Sequence, residues 1–224
     1  MAKKKAKKKD EPLPKRSKSK KLDLWKNPTG FGGSMAGKAE GYFRAVGIDL
    51  ATYCGYAWVD FKQGQQIEDL QVFAGQWLLD VGAYDTGPLR FIRLKQFLSI
   101  LQPDLIGYED VKFSPSKELR GKPVNQVVSR IATAAELLGA FKITLTTWAE
   151  ERGLPAEGFA ITKIKKHATG KGVANKVDMI NAANAQFGTQ LDPETYESTG
   201  ADNIADAMFV LDMVLRNNIL GVTA

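Results

Sequence analysis

Four acidic residues stand where chemistry could use them. Asp49 closes the apolar run FRAVGID and Glu109 the run DLIGYE, each with a glycine two residues earlier, Gly47 and Gly107. Side chains alternate along a strand, so glycine and acid share a face, and adjacent strands would bring both carboxylates to one sheet edge. Asp110 then points to the other face. In GADNIADAMFVLDMVL, Asp202 and Asp206 are four apart and lie on one side of a helix near its start. Asp202 suits a helix N-cap as well as it suits a ligand. Asp206 sits among Ala205, Ala207, Met208 and Phe209, a packed position, whereas Asp212 reads as a surface acid. Carboxylates clustered without cysteine or usable histidine suit hard cations, Mg²⁺ or Mn²⁺, rather than zinc. Two such ions about 3.5–4 Å apart can activate water and stabilise the leaving oxygen in phosphodiester hydrolysis.

A second polar feature is ITKIKKHATGKGVANK, residues 161–176, in which Lys163, Lys165, Lys166, Lys171 and Lys176 surround the Gly170–Gly172 turn. Small glycines let backbone N–H groups approach a phosphate, and a helix N-terminus adds to that attraction. His167 is the only histidine, which leaves a histidine-based nucleophile mechanism little support; it reads as a loop or backbone-contact residue. Cys54 is the only cysteine, so neither an internal disulfide nor a cysteine zinc site is available.

These groups must be carried by regular elements. Phe43–Asp49 reads as a buried strand, Gly55–Phe61 as its antiparallel partner, and Asp69–Leu79 as a third strand anchored by Val72, Phe73 and Trp77. Pro88 suits the first turn of a helix ending at Pro103. Asp104–Asp110 is a fourth strand, Phe113–Pro123 a loop, and Asn125–Arg152 a long helix with Val128, Ile131, Ala135, Leu138, Lys142 and Leu145 along one stripe. Gly158–Thr162 is a brief fifth strand. Helices follow at 162–168, at 175–187 capped by Asn175, and from about Asp202 to Arg216. The layout is α/β, a mixed five-stranded sheet with flanking helices.

Of the 224 residues, the first 26 hold twelve Lys/Arg and three acids; the remainder has nineteen bases against 22 acids. The basic pI therefore belongs to the tail. A lysine-rich segment so poor in apolar residues cannot offset its ordering entropy, so residues 1–41 are expected to be a disordered basic tail and linker, with Leu22, Leu24 and Trp25 as docking residues, and 42–224 the folded domain. The tail suits a polyanion such as nucleic acid. No apolar run reaches the roughly 20 residues that span a bilayer, and the N-terminal lysines run into Asp, Glu and Pro rather than a signal-peptide core. A cytoplasmic protein without membrane partners is expected.

Over roughly residues 43–216 the chain resembles the RuvC-type Holliday junction resolvases of the RNase H-like superfamily, particularly their phage-like members. GIDLATYCGYA resembles the first-strand motif, IGYEDV the fourth-strand motif, KKHATGKGVANK the segment whose two lysines contact or support the scissile phosphate, and DNIADAM the final acidic helix. The resemblance implies an RNase H-like fold and a metal-dependent crossover junction endodeoxyribonuclease, acting as a homodimer through the long helix in a bacterial or phage-infected cell. It implies Asp49, Glu109, Asp202 and Asp206 as ligands of two Mg²⁺ ions (Mn²⁺ as substitute), Lys165 and Lys176 as catalytic lysines, and no nucleotide cofactor. Phe113, slightly displaced from the family position, would be an aromatic wedge at the junction, and Lys163, Lys166 and Lys171 further DNA contacts. The family often spaces its last two acids three apart, whereas Asp202 and Asp206 are four apart. Three other readings stay open: a nuclease of this fold acting on RNA–DNA hybrid or other structured nucleic acid, a non-catalytic DNA-binding protein, and an actin- or sugar-kinase-like ATPase. The last lacks the second glycine-rich acidic loop and the length such folds need.

Overall fold

Phe43–Asp49 (β1), Tyr53–Phe61 (β2) and Phe73–Leu78 (β3) form an antiparallel meander, and Leu105–Glu109 (β4) and Ala156–Phe159 (β5) extend it in parallel on the β1 side. The sheet order is β3–β2–β1–β4–β5. The helices are Leu89–Leu101 (α1), Val124–Glu150 (α2), Ile161–Thr169 (α3), Lys176–Phe187 (α4), the short Tyr196–Thr199 (α5) and Ala201–Leu215 (α6). The computed structural model describes residues 38–82, 85–111 and 124–220. The basic tail to residue 37, with Leu22, Leu24 and Trp25, and Phe113 with its loop lie outside the described residues.

The sheet separates two apolar layers, as an α/β architecture requires. On one face Val46, Ile48, Tyr56, Ile106 and Tyr108 pack against Leu94 and Leu98 of α1 and Phe141, Leu145 and Trp148 of α2. Trp77 stacks between Tyr56 and Phe97, with ring centroids 4.5 and 4.7 Å apart. On the other face Ala45, Ala57, Val59, Leu105 and Phe159 meet α3, α4 and α6. At the end of the sheet away from Asp49, buried Arg44 donates to both oxygens of Asp60 and to the Leu101 carbonyl, and lies over the Trp58 ring. This multiple pairing is what makes a buried guanidinium tolerable.

Several boundaries differ from the sequence reading. Ile67–Asp69 forms a 3-10 turn, so β3 begins at Phe73 rather than Asp69. The fifth strand is Ala156–Phe159, not Gly158–Thr162: its last rung pairs Phe159 with Glu109, so the ladder stops where β4 stops, and Ile161 opens α3. On α2 the expected stripe is displaced. Phe141, Leu145, Trp148 and Ala149 are buried, while Val128 and Ile143 are exposed. Asn175 caps α4 as expected, with a full capping box closed by Asp178.

Candidate active site

Two strand ends and one helix position the acids. β1 and β4 are parallel neighbours with Gly47 opposite Gly107 and Ile48 opposite Tyr108, so the next residues, Asp49 and Glu109, sit side by side at the sheet edge. Both are buried, 7% and 6% exposed. The face they share with Gly47 and Gly107 is covered by α6. A Cβ added at Gly47 would stand 2.8 Å from Leu211 Cα and closer still to Ala207 O; one added at Gly107 would stand 2.9 Å from Val214 Cβ. The glycines therefore form a bare track on which α6 lies against the sheet, and that close approach brings Asp206 to the strand ends. One oxygen from each of Asp49, Glu109 and Asp206 falls within 4.8 Å of the others.

The electrostatics follow from this crowding. Burial, then the charges of Glu109 and Asp206, hold the Asp49 carboxyl well above the usual carboxylate range, and its hydrogen bond to Glu109 raises it further. Burial also raises Glu109, while the Asp49 hydrogen bond and the Lys165 charge pull it back. Asp206 is pushed up to about 7, by burial first and then by the Glu109 charge. Its Oδ1 is buried without a hydrogen-bond partner. Three convergent carboxylates, one with an orphaned buried oxygen, are a donor set that fits a hard divalent cation.

Asp202 lies apart from this trio. Its Oδ2 is 2.6 Å from Lys176 Nζ, although its charge still reaches Asp49. It is not the helix cap: Gly200, at φ 71°, occupies that position and Asp202 is the second residue of α6. Lys176, the first residue of α4, has its own pKa raised, chiefly by the Asp202 hydrogen bond, and lies 5.0 Å from the centre of the Tyr196 ring. Lys165 on α3 is half-buried, and its charge acts on both Glu109 and Asp206. Lys163, Lys166 and Lys171 are exposed around it. The two lysines that the family resemblance implies thus flank the acids from two different helices.

Two readings are corrected. Asp212 is not a surface acid: it is 3% exposed, and its Oδ2 is 2.5 Å from His167 Nε2 and 3.0 Å from Arg216 Nε. His167 is accordingly a side-chain partner on a helix, tying α3 to α6, rather than a loop or backbone contact. Asp110 does face the other layer, where Lys142 of α2 donates to it at 2.6 Å. The sequence reading missed Asn203, whose Nδ2 donates to the Tyr53 carbonyl at 2.9 Å. Gly55 was the available signal, since an added Cβ there would stand 3.1 Å from Ile204 N and inside the Asn203 carbonyl.

No family model matches the chain, and no curated protein sequence matches it. Among solved structures it is similar to Thermus thermophilus RuvC in complex with a Holliday junction substrate, at 18% identity over 75% of this chain and 92% of that one, with a TM-score of 0.52. The chain has the RNase H-like fold of RuvC. A second Thermus thermophilus RuvC structure (18% identity, the same coverage, TM-score 0.49) and the yeast mitochondrial Holliday junction resolvase Ydc2 (17% identity, 78% of each chain, TM-score 0.45) are also similar. At such identities the likeness to RuvC is one of fold alone. No helix among the described residues is long and apolar enough to cross a membrane.

Proposed function

We propose that this protein is a Mg²⁺-dependent endonuclease, with Mn²⁺ as a substitute ion, that cuts four-way or otherwise branched DNA as a homodimer. The observation that carries the reading is the convergence of Asp49, Glu109 and Asp206 at one sheet edge with Lys165 beside them. The RuvC whose fold it shares was solved with a Holliday junction, which supports branched DNA as the substrate class. Residues 42–224 would be the nuclease domain and the basic segment 1–41 an additional DNA contact.

In this reading Asp49 is the central ligand, Glu109 and Asp206 complete the trio, and Asp202, which lies apart on Lys176, would be a fourth carboxylate for a two-ion site. The ions, when bound, would supply Lewis-acid activation of water and charge stabilisation of the scissile phosphate. Lys165 offsets the negative charge of the cluster and offers a cation to a phosphate oxygen. Lys176, held by Asp202, presents a second cation at the rim. Burial of Asp49 and Glu109 keeps bulk water from screening these interactions. Symmetric incision of a junction needs two such sites, and a twofold dimer supplies them. The exposed face of α2, with Val128 and Ile143, is the proposed contact between subunits.

The test is cleavage of a synthetic four-way junction, with and without Mg²⁺, beside duplex, flap and RNA–DNA hybrid, together with mass measurement on the protein–junction complex. Metal-dependent, paired nicks in the junction alone are expected. Preferential cutting of the hybrid would assign the site to RNA–DNA instead, and a strict monomer on junction DNA would remove the dimer.

A further inference from the structure

Among the described residues two aromatic side chains are exposed to similar degrees, Phe43 at 53% and Tyr53 at 54%. They stand at opposite ends of the sheet. Phe43 opens β1 and is paired with Phe61, its ring 6.0 Å from the Phe61 ring. Tyr53 opens β2 at the end where Asp49 lies, since Asp49 pairs with Gly55 two residues further on. By strand alternation Tyr53 shares the face of Gly55, and Gly55 is the glycine on which Asn203 rests. The Asn203 side chain holds the Tyr53 carbonyl at 2.9 Å. The backbone of Tyr53 is thus fixed to the turn of α6 that carries Asp202, and through Asp202 to Lys176 at 2.6 Å. A large, half-exposed ring therefore stands at the end of the sheet that carries the acidic site, on a strand whose backbone α6 holds in place.

We propose that Tyr53 is a stacking platform for an unpaired base of the strand entering the acidic site, an inference that rests on the nuclease reading above. An exposed aromatic face at the sheet end that carries the acids offers a surface to a base, while the lysines of the site offer cations to the phosphates. Stacking is tolerant of sequence, because every base has a π-face. It requires a base that its neighbours have released. A continuous duplex offers none at its flank, whereas a branch point does. Tyr53 therefore favours branched over linear DNA without reading sequence. Its contribution differs in kind from that of the lysines, because stacking releases no counterions and leaves the salt dependence of binding unchanged.

The experiment measures binding without metal, in EDTA, to a four-way junction bearing 2-aminopurine at the branch, and to a linear duplex of the same sequence. The proteins are wild type, Tyr53→Ala, Tyr53→Phe and, as the exposed aromatic at the far end, Phe43→Ala. Tyr53→Ala should weaken junction binding at least about fivefold, the lower end for loss of one base–aromatic stack. Its duplex affinity and its salt slope should not change. Tyr53→Phe and Phe43→Ala should bind as wild type does. Quenching of 2-aminopurine on binding should fall for Tyr53→Ala only. Unchanged junction affinity in Tyr53→Ala, or an equal loss on junction and duplex, overturns the stacking role while wild-type cutting of junctions leaves the nuclease reading standing. A wild-type protein that neither binds nor cuts junctions overturns that reading, and this inference with it.

Discussion

Gly47→Ala tests the central geometric claim without touching a carboxylate. The added Cβ would meet the backbone of α6, 2.8 Å from Leu211 Cα and closer to Ala207 O and Leu211 N, where ordinary contact begins near 3.4 Å. Neither the strand nor the helix can rotate a backbone atom out of the way, so α6 must lift by roughly 1 Å to restore normal contacts. Overpacking of a core by one such group costs about 1–3 kcal/mol. In a folded unit of this size that corresponds to a fall in Tm of roughly 2–4 °C per kcal/mol. The same lift carries Asp206 away from Asp49 and Glu109, and displacements of about 1 Å can cost a hundredfold in a positioned reaction. Thermal melting in EDTA reads the first effect; Mg²⁺-dependent junction cleavage at a temperature where the variant is fully folded reads the second. A variant that melts and cuts like wild type would refute the account of α6 as a helix seated on a glycine track. One that melts lower but cuts normally would separate packing from site geometry.

Asp49→Asn should abolish Mg²⁺-dependent cutting while junction binding in a mobility-shift assay survives, and retained cutting would remove Asp49 from the site. The acidic trio also sets a pH dependence. Asp206 keeps its proton to about 7 in the fold against an ordinary value of 3.8, so between those limits the folded state binds more protons than the unfolded one. Without metal, this contribution to stability is present at low pH and lost as pH rises through about 7. Melts in EDTA should therefore show a falling contribution toward neutral pH that Asp206→Asn flattens, and added Mg²⁺ should raise Tm more at pH 8 than at pH 5.5. His167→Ala removes one of two hydrogen-bonding partners from buried Asp212 and should cost roughly 1–3 kcal/mol in denaturant unfolding; no loss would mean that Arg216 alone suffices. Deleting residues 1–26 should weaken DNA binding and shallow its salt slope, and an unchanged slope would make the tail a bystander.

The strands carrying Asp49 and Glu109 were legible because their signals are local: an apolar run, a glycine two residues before an acid, and period-two alternation. The cap at Asn175 was legible for the same reason. What the sequence could not resolve depends on partners far along the chain. Asp212 looks like a surface acid on its own helix and becomes buried only because His167, 45 residues earlier, is placed against it. That Asp202 is not the cap turned on Gly200, whose left-handed backbone takes the cap position two residues earlier. Tyr53 gave no signal, since it fell in the turn expected before Gly55, whereas the strand begins at Tyr53 itself and leaves its ring exposed.

α6 does more than contribute one ligand. Its buried side faces Gly47, Gly55 and Gly107, so the separation between helix and sheet is set by backbone contact at Gly47 and Gly55 and by the Val210 and Val214 side chains at Gly107. That separation fixes Asp206 against Asp49 and Glu109, three acids whose mutual repulsion would drive them apart on a looser support. The pKa values of Asp49 and Asp206 are raised first by burial and then by the neighbouring carboxylate charges that this rigid seating holds together. A site held in this way is poised for a cation, because the cation relieves a strain that the fold cannot relieve by moving. Mg²⁺ should then stabilise the protein through Asp49, Glu109 and Asp206 even in the absence of DNA, and the Tm increase on adding it should disappear in Asp49→Asn. Persistence of the full increase in that variant would place the ion elsewhere.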